Sequence, residues 1–224
     1  MSVNPAAPLE ITAFAWVPPF AQGQVRDLRA RWACEEIGLD YAERLLDAMS
    51  SRPDSYYLEQ PWGQVPVLND NGIEIFESGA ILLHLAQKDT RLLPNEPQAR
   101  VRAISWLFAA LNSIEPLMFE LTNVNVFARD EEWAKLRKPS LYEFLGGRLD
   151  RLSTALGDKG YLECEFNVGD LAMATVLRIA DGTELVSGRP GLAAYQKRCL
   201  ARPAFQRALD AQLATFKAHT PDST

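Results

Sequence analysis

QVPVLNDNGIEIFESGAI, residues Gln64–Ile81, reads as a β-hairpin that runs straight into a helix. Asn71-Gly72 separates two β-type runs, Val65–Leu68 and Ile73–Phe76, and both residues tolerate the positive φ of a type I′ turn. Pro66 cannot donate to a central ladder, so one reading puts it at a strand's first residues, an edge or a bulge. A second reading is a cis Val65-Pro66 bond that offers the Val65 N–H and C=O to a peptide-like ligand. X–Pro is the one bond where cis costs only about 0.5–1 kcal/mol. Glu77-Ser78 marks the strand-to-helix junction. Ser78 is then either an N-cap with no further role, or one wall of a site. In the second case free N–H groups and the helix dipole attract a carboxylate, while Glu77 holds an ammonium.

Outward from the hairpin, Glu10–Trp16 alternates and is rich in β-formers, a first strand. Gln24–Ile37 puts Val25, Leu28 and Trp32 on one helical stripe, with Gly38 as a C-terminal stop. Tyr41–Leu46 is a second strand, and Gly79–Gln87 is an apolar helix after Ser78. The order is β-α-β, a hairpin and a closing helix, over residues 1–88. Asp89–Pro97, polar and with two prolines, reads as a linker. From 99 to 224 the pattern turns helical. Val101, Ile104, Leu107, Phe108, Leu111, Ile114, Leu117, Met118 and Leu121 keep helical spacing, with a kink expected at Pro116. Leu141, Leu145, Leu149, Leu152 and Leu156 form another stripe. Further helices fit Asp170–Ala180, Leu192–Leu200 and Ala204–Phe216. The aromatics Trp106, Phe108, Phe119 and Phe127 are expected mainly in the core, with one or two lining a pocket.

Composition narrows the function classes. The 224 residues carry a net charge of −6, which argues against non-specific nucleic-acid binding or an anionic membrane surface. No apolar run approaches the ~18–20 residues of a membrane span. Met1–Leu9 lacks the basic and apolar regions of a secretory signal, so a cytoplasmic protein is expected. Cys34, Cys164 and Cys199 are odd in number and far apart, which supports neither a disulfide framework nor metal ligation. No metal is expected.

Gln64-Val65-Pro66, the hairpin, Glu77-Ser78-Gly79-Ala80-Ile81, a Pro-containing linker and a helical half together resemble the glutathione transferase family, of bacterial cytosolic type with no class assigned. The resemblance covers Glu10 to Phe216. It implies an α/β thioredoxin-like N-terminal domain followed by an all-α helical domain. Phe166-Asn167-Val168-Gly169-Asp170-Leu171 adds an Asn/Asp capping box with a hydrophobic staple, a structural mark of the family's helical domain. Carried over residue by residue, the resemblance implies that Val65 pairs through its backbone with the cysteinyl part of glutathione. Pro66 is then the cis proline, Glu77 and Ser78 hold the γ-glutamyl ends, and Gln64 lies near the glycyl end. It further implies a homodimer and a co-substrate that is a small hydrophobic electrophile, a peroxide or a disulfide.

One expected feature is missing. Family members place a Ser, Tyr or Cys after the first strand to stabilise or join the glutathione sulfur, because the thiolate is the nucleophile. From Ala13 to Arg29 there is no Ser, Thr, Tyr or Cys. The available donors are the Trp16 indole, the Gln22 and Gln24 amides, the Arg26 guanidinium and backbone N–H groups at the helix start. Arg26 and the amides near Gln22 are the preferred pair. Against this, Arg26–Arg31 also reads as a solvated helix face with internal ion pairs. The alternative function is a non-catalytic binding or interaction protein that keeps the fold. His84 is expected to be an ordinary helix residue, and Cys34 a small hydrophobe beneath its helix.

Overall fold

The computed structural model describes residues 3–221. These divide into two compact units, one holding the residues up to Leu92 and those from Arg202, the other Leu93–Ala201.

The first unit contains β1 (Leu9–Phe14), α1 (Asp27–Ile37), β2 (Ala42–Leu46), α2 (Asp54–Glu59), β3 (Val67–Asp70), β4 (Ile73–Phe76) and α3 (Ser78–Ala86). The strands form one sheet in the order β2-β1-β3-β4. β1 and β2 run parallel, and the other two pairings are antiparallel. Asn71 (φ 53°) and Gly72 (φ 88°) both take the positive φ that the tight β3–β4 turn requires. α1 ends where Gly38 adopts a left-handed conformation and its N–H reaches Cys34 O. The helix starts at Asp27, later than its apolar stripe suggests, because Pro18 and Pro19 lead into a single 3₁₀ turn at Pro19–Ala21.

The second unit contains α4 (Pro97–Phe108), α5 (Glu115–Thr122), α6 (Glu132–Leu156), α7 (Val168–Leu177), α8 (Glu184–Ser187) and α9 (Pro190–Leu200). Pro116 is accommodated by a π-helical stretch, Ala109–Ile114, that absorbs the lost donor and the crowded turn before it. All ten residues of α7 are buried, which matches a helix that is apolar on every side. Its start is fixed by the capping box: Asn167 Oδ1 accepts from Gly169 N at 2.8 Å, and Asp170 Oδ2 accepts from Asn167 N at 3.1 Å. Phe166 and Leu171, the staple pair, are both buried.

The helix at Pro203–Ala218, α10, packs on α1 and so belongs to the first unit, whereas its position in the sequence put it with the helical half. This contact overturns the solvated-face reading of residues 26–31. Asp27, Leu28, Arg29, Ala30 and Arg31 are all buried. Arg31 Nε donates to Asp27 Oδ2 at 2.6 Å, and Arg31 also pairs with Glu43. Gln212 of α10 donates to Asp27 Oδ1 at 2.7 Å, and Thr215 donates to Glu43 Oε1 at 2.9 Å. Arg202 makes a two-point pair with Glu36, and Arg207 pairs with Glu35 at 2.6 Å. The aromatic expectation also needs correction. Phe108, Phe119 and Phe127 are about half exposed or more (49%, 52% and 68%), and the interior of this region is lined by Ala103, Leu107, Ala110 and Ile114.

Candidate functional site

β3 and β4 pair in the register Val67↔Phe76. One step further along each strand stand Pro66 and Glu77, and after them Val65 and Ser78. The open end of the hairpin therefore brings together the two motifs that the sequence separates by ten residues. Pairing of β3 begins at Val67, so the Val65 backbone lies outside the ladder. The Val65–Pro66 peptide bond is cis, and both residues are buried, while Gln64 beside them is exposed.

Three side chains hold this segment from behind. Tyr56 O–H of α2 donates to Gln64 O at 2.7 Å, and Val67 N donates to Thr12 Oγ1 of β1 at 2.6 Å. Arg52 Nε donates to Gly63 O at 3.1 Å. The sequence reading missed Thr12 and Tyr56, whose roles arise only when the sheet is assembled.

Across the gap, Glu77 rather than Ser78 occupies the N-cap position of α3, and no capping bond comes from its side chain. Its backbone sits at φ 72°, ψ 120°, a conformation that costs a non-glycine residue about 1–3 kcal/mol. The exposed Glu77 carboxylate is thus carried at a strained turn. Ser78, 8% exposed, does not cap the helix either: its Oγ accepts from Arg29 Nη1 at 3.1 Å. The first-turn N–H groups of α3 have no acceptor within the helix. The register sets a carboxylate, a hydroxyl and helix-start amides next to the Val65 peptide unit, which lies outside the ladder. That set can hold an α-amino acid head by its ammonium and carboxylate, and a peptide by its backbone.

α3 is tied to the hairpin at its other end. Lys88 Nζ and His84 Nε2 lie 2.6 and 2.7 Å from Asp70 Oδ2. Lys88 first, then His84, hold the Asp70 carboxyl down at about 2. His84 is therefore a structural anchor.

The catalytic candidates lie on the segment entering α1. Gln22 Nε2 donates to Val17 O at 3.1 Å, and the N–H groups of Ala21, Gln22 and Gln24 bond to the carbonyls of Pro18, Pro19 and Ala21. These groups shape the turn. Arg26 is half-buried at the N-cap position of α1. Cys34 is fully buried, and burial pushes its thiol well above the ordinary range, so it is no nucleophile. Among the described residues, no group of three or more His, Cys, Asp or Glu is placed to hold a metal ion. Nor is any helix among them long and apolar enough to cross a membrane.

Residues 20–87 match the family model described as glutathione S-transferase, N-terminal domain. Glutathione S-transferase F14 of Arabidopsis thaliana is 31% identical over 196 residues, covering 79% of this chain and 76% of the relative. A disulfide-bond oxidoreductase of Escherichia coli K12, YfcG, is 26% identical over 190 residues, covering 78% and 86%. Among solved structures, a glutathione transferase family member from Pseudomonas fluorescens Pf-5, with two glutathione bound, superposes with a TM-score of 0.78 at 23% identity. That superposition covers 90% of this chain and 92% of the other. The thioredoxin-like mixed sheet and the helical unit agree with these matches: the chain belongs to the glutathione transferase family.

Proposed function

We propose that this enzyme binds glutathione at the open end of the β3–β4 hairpin and turns its thiolate on an electrophile, a peroxide or a disulfide. The observation that carries the proposal is the juxtaposition of Val65–Pro66 with Glu77–Ser78 set by the register Val67↔Phe76. In this reading Val65 pairs with the cysteinyl backbone, and Glu77 takes the γ-glutamyl ammonium. Ser78 with the α3 amides takes the carboxylate, and Gln64, exposed beside them, faces the glycyl end. Arg26, at the N-cap position of α1, is the proposed stabiliser of the sulfur. The named activities of the relatives, glutathione S-transferase and disulfide-bond oxidoreductase, support both conjugation and reduction. A cytoplasmic setting fits three cysteines that form no disulfide.

The absence of Ser, Thr, Tyr and Cys from Ala13 to Arg29 favours a second reading, a non-catalytic glutathione-binding protein. Calorimetry followed by turnover separates the two. The expected result is glutathione binding below millimolar concentration, with turnover of an aryl halide or of a mixed disulfide of glutathione. Thiolate absorbance near 240 nm against pH should show a lowered thiol pKa that rises in Arg26→Leu. Binding with a titration curve like that of free glutathione would select the second reading, and no binding at millimolar concentration would remove both.

A further inference from the structure

We infer that the helical unit carries a ligand site of its own, at the π-helical turn after α5, and that Asn125 and Tyr142 make it selective for a compact apolar molecule bearing a hydroxyl group. The cavity there measures about 370 Å³, and every residue lining it belongs to the second unit. That volume lies at the small end of the roughly 300–1,000 Å³ of ligand pockets. Leu121, Val126 and Ile179 give it apolar walls. Asn123–Phe127, which supplies Asn125 and Val126, is π-helical, a rare form of backbone that is frequent at functional sites.

Most polar groups around the cavity are engaged within the fold. Thr122 Oγ1 donates to Met118 O at 3.2 Å, and Thr183 Oγ1 donates to Ala180 O at 2.7 Å. Asp181 accepts from Gln196 Nε2 at 3.2 Å and lies close to Arg178, which offsets its charge. Asn125 and Tyr142 differ. Asn125 Nδ2 donates to Tyr142 Oη at 2.9 Å, while Asn125 Oδ1 is buried with no hydrogen-bond partner among the described residues. A buried carbonyl oxygen without a donor is costly to a fold, so its presence calls for a reason. Tyr142 accepts from the amide, so its own proton is directed elsewhere. An acceptor and a donor thus stand side by side. A hydroxyl answers both at once, donating to Asn125 Oδ1 and accepting from Tyr142. An ether on the same body can only accept, and it leaves the amide oxygen without a donor. This ligand class differs from the electrophiles, peroxides and disulfides proposed above, and the inference does not rest on the glutathione site.

The test pairs two probes with three variants. 1-Naphthol and 1-methoxynaphthalene, which share a ring system and differ in the O–H, are titrated by calorimetry in the absence of glutathione. The parent protein should bind the naphthol about tenfold more tightly than the ether. Asn125→Leu should weaken the naphthol about tenfold and leave the ether within about threefold. Tyr142→Phe should do the same, and serves alone if Asn125→Leu loses the parental melting curve. Val126→Trp fills the cavity and should abolish binding of both probes. Equal affinity of the two probes for the parent, or no binding of either at millimolar concentration, would overturn the inference. So would naphthol binding that survives Val126→Trp, or that Tyr142→Phe leaves unchanged.

Discussion

Asp27 and Arg31 carry opposite charges into a region where neither reaches solvent. Burial raises the Asp27 carboxyl pKa despite Arg31 beside it, and Gln212 and Glu43 add further bonds to the pair, although Arg31 Nη2 is buried without a hydrogen-bond partner. Removing one partner strands the others. Arg31→Met should cost about 3–5 kcal/mol in urea denaturation at pH 7, and a loss under 1 kcal/mol would show the pair to be incidental. Asp170 supplies a pH-dependent counterpart. It accepts from Leu162 N at 2.9 Å, Asn167 N at 3.1 Å and Tyr195 O–H at 2.9 Å, yet burial pushes it up to about 6 from its ordinary 3.8. The folded state then holds its proton more tightly than the unfolded chain. Its contribution is complete below about pH 4 and disappears as pH rises through about 6, amounting to about 3 kcal/mol. The stability of the parent protein relative to Asp170→Asn should fall across that window in urea titrations, and a flat difference would refute it. Arg29 was legible in principle at this scale, since it stands on the apolar stripe of α1. The alternation of charges from Arg26 to Arg31 concealed it, because α10, which covers that face, lies some 170 residues away.

Helices α4 and α7 show how closely two elements can approach. A Cβ added at Gly169 would meet Trp106 Cβ at 2.5 Å and Ala103 O at 3.0 Å. Gly169→Ala should therefore push the helices apart and destabilise the fold by about 1–3 kcal/mol. Thermal melting checks this, and an unchanged midpoint would mean that the helices yield without cost. The same closeness explains why the aromatics were misplaced. Where backbones approach, small residues line the contact, so Ala103 and Ala110 are interior while Phe108 is pushed outward. A reading that follows the bulkiest residues reverses that. The strands, the hairpin, α1, α3 and the leucine stripe of α6 were legible because local turn chemistry and periodicity agree there. Six-residue α2 has too short a span for periodicity to register. The π-helical stretches Ala109–Ile114 and Asn123–Phe127 depend on tertiary packing.

For the molecule as a whole, the homodimer remains a proposal, and its test starts from the exposed apolar residues. Leu58, Trp62 and Ile73 in the first unit, and Phe127, Leu136 and Phe144 in the second, are each more than half exposed. Residues of this kind are candidates for the interface of the homodimer that the family resemblance implies, and two-fold pairing is the commonest form of oligomer. Light scattering at micromolar concentration should report about twice 25.0 kDa, and Trp62→Glu should shift the population toward the single-chain mass. A parent protein that runs only at the single-chain mass would remove the dimer proposal. The candidate site was visible in sequence as two motifs. Their meeting depended on strand register, and the buried supports at Thr12, Arg29 and Tyr56 depended on the finished sheet.

The return of α10 to the first unit has a consequence for the order of events at the ribosome. Chains emerge from the N-terminus, and domains commonly fold as they appear, at roughly 5–20 residues per second. Here the sheet and α1 are synthesised first, yet Asp27, Glu35, Glu36 and Glu43 wait for Gln212, Arg207, Arg202 and Thr215. The whole of 93–201 must be translated in between, so the nascent first unit keeps these carboxylates hydrated and α1 loosely docked. The helical unit, continuous in sequence, closes before it. A chain that has emerged through residue 201 but not yet through α10 therefore carries a complete helical unit and a first unit that still lacks α10, which offers proteases a clear mark of an incomplete chain.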